Sequence, residues 1–121
     1  VALVIPSMKD KMTGISYRVP VADVSLVDLN VLLKKETTYD EICKKMKEAS
    51  ETYMKGVLEY VDDEVVSSDF IGDSHTSIFD AREGIAVNDK LFKLIAFYDN
   101  EYGYSSKVLE LIKHMYSVDN K

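Results

Sequence analysis

Ile15, Tyr17 and Val19 alternate with Ser16 and Arg18, the period-two pattern of a strand that sets Arg18 on the face opposite the apolar residues. Pro20 supplies no ladder donor, so it ends that strand or marks a sheet edge. A second strand is predicted from about Val24 to Leu33, with Val27, Leu29, Val31 and Leu33 on one face and Asp28 and Asn30 interrupting the other. Thr38, with Glu41 three residues on, forms a capping box. The helix it starts carries Tyr39, Ile42, Cys43, Met46 and Ala49 on one stripe, with Lys44, Lys45, Lys47 and Glu48 mostly outside it. Gly56 follows the helix, and a short strand is predicted over Val57–Tyr60.

From Asp62 to Asp80 the chain is acidic, polar and weakly periodic, with a short strand near Thr76–Phe79. Ile85–Val87 and Leu91–Tyr98 flank Asn88-Asp89-Lys90, turn formers between two apolar runs, which predicts a hairpin. Its long second arm delivers the chain to Asp99-Asn100. From there Tyr104, Val108, Leu111, Ile112 and Met115 recur at helical spacing. The predicted class is α+β: a mixed, mostly antiparallel sheet with one internal helix and a C-terminal amphipathic helix. No repeat, low-complexity stretch or linker divides residues 1–121, so they read as one domain.

Hydrophobic residues make up 46 % of the chain, enough for a core, and 30 % are charged. No apolar run approaches the roughly 20 residues of a membrane helix. A net charge of −6 argues against binding to a nucleic-acid backbone, which calls for a basic face. Cys43 is the only cysteine, so no internal disulfide forms, as suits a reducing, cytoplasmic setting. The chain begins at Val rather than Met and carries no leader pattern.

Few residues offer chemistry. Arg18 presents a planar fork of donors suited to phosphate oxygens, although a strand arginine can also be merely exposed or salt-bridged. Asn100 sits where a strand gives way to a helix, where it fits an N-cap. Cys43 lies beside Ile42 on the apolar helix stripe, where a thiol packs and stays inert. His75 lies in a polar Asp-Ser-His-Thr-Ser run and His114 in the last turns of the C-terminal helix, where a cation suits the dipole. There is no CxxC, HExxH or glycine-rich phosphate loop, and Asp62-Asp63-Glu64 reads as a solvated turn, so no metal site is expected.

Several blocks in fixed order nevertheless carry a resemblance. Tyr17-Arg18-Val19-Pro20 through Leu29, Val65-Val66-Ser67-Ser68-Asp69-Phe70, Ile85-Ala86-Val87-Asn88-Asp89 and Phe97-Tyr98-Asp99-Asn100-Glu101-Tyr102-Gly103-Tyr104 resemble phosphorylating glyceraldehyde-3-phosphate dehydrogenases, from about Val4 to Met115. The resemblance implies the C-terminal portion of a catalytic domain, with the nucleotide-binding half, the catalytic cysteine and the catalytic histidine all lying before Val1. No catalytic residue is therefore expected here, and neither Cys43, His75 nor His114 matches the family's.

It also implies substrate and phosphate binding at Arg18, contact between Asn100 and the nicotinamide carboxamide of NAD, and a place beside the same ring for Tyr104. The complete enzyme would turn glyceraldehyde 3-phosphate, phosphate and NAD into 1,3-bisphosphoglycerate and NADH in cytoplasmic glycolysis, as a homotetramer. The isolated chain would be inactive. Leu3 stands where the family has lysine, Thr52-Tyr53 where Gly-Pro is common, and Phe97 where tryptophan often precedes the tyrosine. Leu3 would be exposed unless the rest of the enzyme or a neighbouring subunit covers it. The competing expectation is a non-catalytic α+β module that binds a partner.

Overall fold

A computed structural model describes residues 1–120. Four strands, β1 (Ser25–Leu32), β2 (Leu58–Val61), β3 (Ser77–Ala86) and β4 (Leu91–Tyr98), form one sheet in the order β1-β4-β3-β2. The pairs β1/β4 and β4/β3 are antiparallel and β2/β3 is parallel. Helix α1 (Tyr39–Glu51) supplies the crossover region before β2, and helix α2 (Tyr102–Asp119) follows β4. The α+β class and the mixed, mostly antiparallel sheet are as the pattern predicts.

The pleat divides the core into two halves. On one face Ile78, Ile95 and Phe97 meet Val24 and Phe70, with the Phe70 and Phe97 rings 5.1 Å apart. On the other, Leu58 and Phe79 pack against Ala49 of α1, with Ile42, Cys43, Met46, Tyr60 and Leu94 around them. The α1 stripe is thus the one expected. Its cap is also as expected: the Glu41 N–H donates to Thr38 Oγ1 at 3.2 Å, and Glu41 Oε2 accepts from the Thr38 N–H at 3.4 Å. Thr37 Oγ1 donates to the same carboxylate at 2.6 Å, and these two contacts hold the Glu41 carboxyl below its ordinary pKa.

Other expectations need correction. Residues 12–19 form no strand, and Ile15, Tyr17 and Val19 are exposed, because no neighbouring segment offers this run a ladder. The strand predicted from Val24 begins only at Ser25 and ends at Leu32, because Val24 has φ +70°, outside the strand region. Val27 and Leu29 stay more than 40 % exposed: α1 covers β2 and β3, and β1 lies at the far edge of the sheet. The short strand near Thr76–Phe79 and the hairpin arm Ile85–Val87 are one ten-residue strand, β3.

β3 can be continuous because a bulge absorbs the polar stretch between Asp80 and Ile85. Asp80, 1 % exposed, turns its Oδ1 back to accept the Arg82 and Glu83 N–H groups at 2.9 and 3.3 Å. The Tyr39 hydroxyl donates to the Ala81 carbonyl at 2.9 Å, and its ring fills the space that any side chain at position 84 would need. Only glycine fits there. Helix α2 is present, but among its described residues only Gly103 is buried, and its stripe from Tyr104 to Met115 is exposed.

Candidate functional site

Asn100, one of the residues singled out in the sequence, follows the end of β4. After Tyr98 the chain must turn from strand into helix, and Asp99 rather than Asn100 fixes that turn. Asp99 is 1 % exposed. Its Oδ1 accepts the Glu101 and Tyr102 N–H groups at 2.9 and 2.6 Å, which satisfies the first donors of α2 as a capping carboxylate does. Its Oδ2 accepts the Gly72 N–H at 2.8 Å and so ties in the loop after Phe70. Gly72 has φ +86°, a conformation that glycine adopts freely. Burial pushes the Asp99 carboxyl up, but the N–H donors of Tyr102, Gly72 and Glu101 together hold it below its ordinary pKa.

Asn100 is therefore released from the capping role that its position suggested. The residue at the N-cap is Glu101, which makes no side-chain capping bond. The Asn100 side chain instead reaches back to β1, where Ser25 Oγ donates to its Oδ1 at 3.0 Å. Ser25 is paired with Tyr98, so the contact spans the open end of the β1/β4 pair. Just before it, Val24 holds its left-handed backbone at an expected cost of about 1–2 kcal/mol. Its N–H donates to Asp23 Oδ1 at 2.7 Å, and its side chain is buried beside Phe70.

Arg18 lies in the exposed segment that leads into this turn and takes part in none of the hydrogen bonds or ion pairs among the described residues. Neither its expected strand nor a salt bridge is found. Tyr104, 73 % exposed, stands in the first turn of α2, outside any packed stripe. The structure thus joins Asn100 directly to Ser25 and leaves Arg18 and Tyr104 open on the flanking segments.

The remaining candidates are elsewhere. Burial pushes the Cys43 thiol above its ordinary pKa, consistent with an inert packing group under α1. His75 is held between Asp73, at 2.7 Å from Nδ1, and Glu59, at 3.3 Å from Nε2. His114 is exposed on α2. Asp99, Val24 and Ser25 had no part in the sequence-based candidate set. An Asp-Asn pair at a strand end signals a cap without saying which residue makes it, and nothing in a β-branched residue signals positive φ.

The sheet thus ends in an exposed amide, Asn100, and an exposed arginine, Arg18, lies in the segment before β1. The family profile described as glyceraldehyde 3-phosphate dehydrogenase, C-terminal domain, matches residues 1–100. The chain is 57 % identical over 115 residues to the glyceraldehyde-3-phosphate dehydrogenase of Chlamydia pneumoniae, covering 95 % of this chain and 34 % of that protein. It is 59 % identical to the cytosolic enzyme GAPC2 of Arabidopsis thaliana, with the same coverage, and 57 % identical to glyceraldehyde-3-phosphate dehydrogenase 3 of Saccharomyces cerevisiae, covering 95 % of this chain and 35 % of that protein. The chain belongs to the glyceraldehyde-3-phosphate dehydrogenase family, within its C-terminal domain, and spans about a third of the length of the relatives it matches.

Proposed function

We propose that this chain is the substrate- and nicotinamide-facing C-terminal part of an NAD-dependent enzyme that oxidises glyceraldehyde 3-phosphate in the presence of inorganic phosphate to 1,3-bisphosphoglycerate. Residues 1–121 form its C-terminal catalytic-domain portion, while the dinucleotide fold, the nucleophile and the base come from the rest of the polypeptide. The isolated chain is accordingly inactive. The stand-alone binding module is the less favoured reading, since the family match spans all four strands of the sheet.

The observation that carries this reading is the Asn100 amide, exposed at the end of β4 with its oxygen engaged by Ser25 and its nitrogen left to donate. That group fits the carboxamide oxygen of NAD, whose nicotinamide ring supplies the hydride acceptor. Asn100 would hold the carboxamide and Tyr104 would flank the ring. The Arg18 guanidinium, exposed and unpaired, suits the phosphate of the substrate or of the attacking phosphate ion. The half-exposed apolar residues Leu26, Val27 and Leu29 on the edge strand suit a subunit contact within a homotetramer. No described helix is long and apolar enough to cross a membrane, and the setting we assign is cytosolic glycolysis.

The test is made in the full-length enzyme. Arg18→Ala is expected to raise the KM for phosphate and for triose phosphate by about tenfold or more, the loss of a charge-assisted contact of about 1.5–3 kcal/mol, while leaving the Kd for NAD within twofold of wild type. Asn100→Ala is expected to do the reverse. Unchanged phosphate and triose phosphate constants in Arg18→Ala would remove the phosphate role.

A further inference from the structure

We infer that His75 is a positioning residue for the cofactor: it locks the loop on which the strand-to-helix turn bearing Asn100 is seated. The inference rests on the contact proposed above between Asn100 and the nicotinamide carboxamide, and it deepens that reading.

Asn100 is exposed, so its placement is set by the backbone on either side of it. Before it stands Asp99, and after it the first turn of α2, whose buried residue is Gly103. Both of these neighbours rest on the same loop. Asp99 Oδ2 accepts the Gly72 N–H at 2.8 Å. Gly103 lies so close over the loop that a Cβ there would stand 3.0 Å from the His75 carbonyl oxygen and 3.7 Å from that of Asp73. The Gly103 N–H also donates to the Asp99 carbonyl at 3.0 Å, which closes the turn on itself. The stretch from Gly72 to His75 is thus the platform under both ends of the turn.

This platform belongs to no helix or strand, and side chains fix its shape. Asp73 Oδ1 accepts two bonds from His75, one from its backbone N–H and one from its ring Nδ1, each at 2.7 Å. The direction of the ring bond is settled, because a carboxylate only accepts, so Nδ1 carries the hydrogen. The opposite ring nitrogen, Nε2, lies 3.3 Å from Glu59 Oε2 on β2. One residue on, the Thr76 N–H donates to the Val57 carbonyl at 2.9 Å and leads the chain into β3. The His75 ring therefore sits between its own loop and β2, while its carbonyl supports Gly103. Without the ring, the seat under Gly103 is free to shift. A hydrogen bond is steep in distance and angle, so a shift in the turn is read at the Asn100 amide as a weaker contact with the cofactor.

The experiment uses the full-length enzyme with His75→Ala, His75→Asn, Gly103→Ala, Asn100→Ala and the His75→Ala/Asn100→Ala pair. NAD affinity is measured by titration calorimetry, with the melting temperature recorded alongside. His75→Ala is expected to weaken NAD binding by about fivefold, the factor that one neutral hydrogen bond commands. Gly103→Ala should do the same from the other side, by pushing on the His75 carbonyl with the ring left in place. His75→Asn, whose NH2 can donate to Asp73 from the place of Nδ1, restores most of the affinity. On the Asn100→Ala background His75→Ala adds nothing measurable, because its route to the cofactor is gone.

An equal effect of His75→Ala on both backgrounds overturns the inference. So does a His75→Ala enzyme that melts lower yet binds NAD normally while Asn100→Ala weakens binding; the Asn100 contact then still stands, and His75 only stabilises the fold. Unchanged affinity in Asn100→Ala removes that contact and the inference with it.

Discussion

Replacing Asp99 by alanine removes one carboxylate that accepts three backbone N–H groups. Two of them, on Glu101 and Tyr102, open α2, and losing an N-terminal acceptor of this kind costs about 1 kcal/mol. The third, on Gly72, belongs to a different segment and is left without its partner at about 1–3 kcal/mol. The expected local loss is therefore about 2–4 kcal/mol, which corresponds to amide exchange at Gly72 and Tyr102 faster by about 30- to 1000-fold. Hydrogen exchange followed residue by residue in the full-length enzyme reads this directly. Asp99→Asn separates the two roles. Its single carbonyl oxygen can keep the helix donors, but its NH2 cannot accept from Gly72, so Gly72 exchange should accelerate while Tyr102 stays protected. Acid should mimic this loss. The folded carboxyl lies below its ordinary pKa of 3.8, so its contribution is fully present above about pH 4 and disappears as pH falls through the lower folded value. The margin of wild type over Asp99→Asn should thus be constant near neutrality and shrink only in strong acid. Unchanged Gly72 exchange in both variants would refute the idea that Asp99 holds the loop to the strand end.

Further outcomes follow from the packing. Gly84→Val should displace the Tyr39 ring from the β3 bulge and lower stability by about 1–3 kcal/mol, read as a drop in melting temperature that Tyr39→Ala largely cancels in the double variant. Thr38→Ala should cost about 1 kcal/mol through the α1 cap, and a melting temperature equal to wild type would show that the box contributes nothing. Cys43, its thiol raised by burial, should react with a thiol reagent at neutral pH far more slowly than a free cysteine; labelling at the free-thiol rate would contradict its packed position.

What was legible in the sequence was what is decided locally. Thr38 and Glu41 are three residues apart, and the box they form needs nothing else. The α1 stripe likewise found its sheet. The Ile15–Val19 alternation was equally clear but specifies only one side of a ladder, and within these residues no second side exists. β3 was hidden because its polar centre is satisfied by turning inward on Asp80, a device that spacing alone reads as a loop. Arg18 and Asn100 were singled out through their motifs. The cap that Asp99 makes on Glu101 and Tyr102 is local but could equally have been read as Asn100's, while the contacts of Asp99 with Gly72 and of Ser25 with Asn100 join residues distant in sequence.

The order of strands in the sheet also sets a timetable for synthesis. β1 is made first but pairs only with β4, made last, and about 60 residues separate Leu32 from its partner Leu91. At about 5–20 residues per second the ribosome needs roughly 3–12 s to cover that gap. For that time a strand rich in Leu and Val waits with its whole ladder open, the condition in which chains stick to one another. Asp28 and Asn30 interrupt that run with the kind of polar break that discourages such association. Once β4 arrives, Asp28 meets Lys93 across the strands at 2.7 Å, so the residue that breaks the apolar run becomes part of the strand's closure.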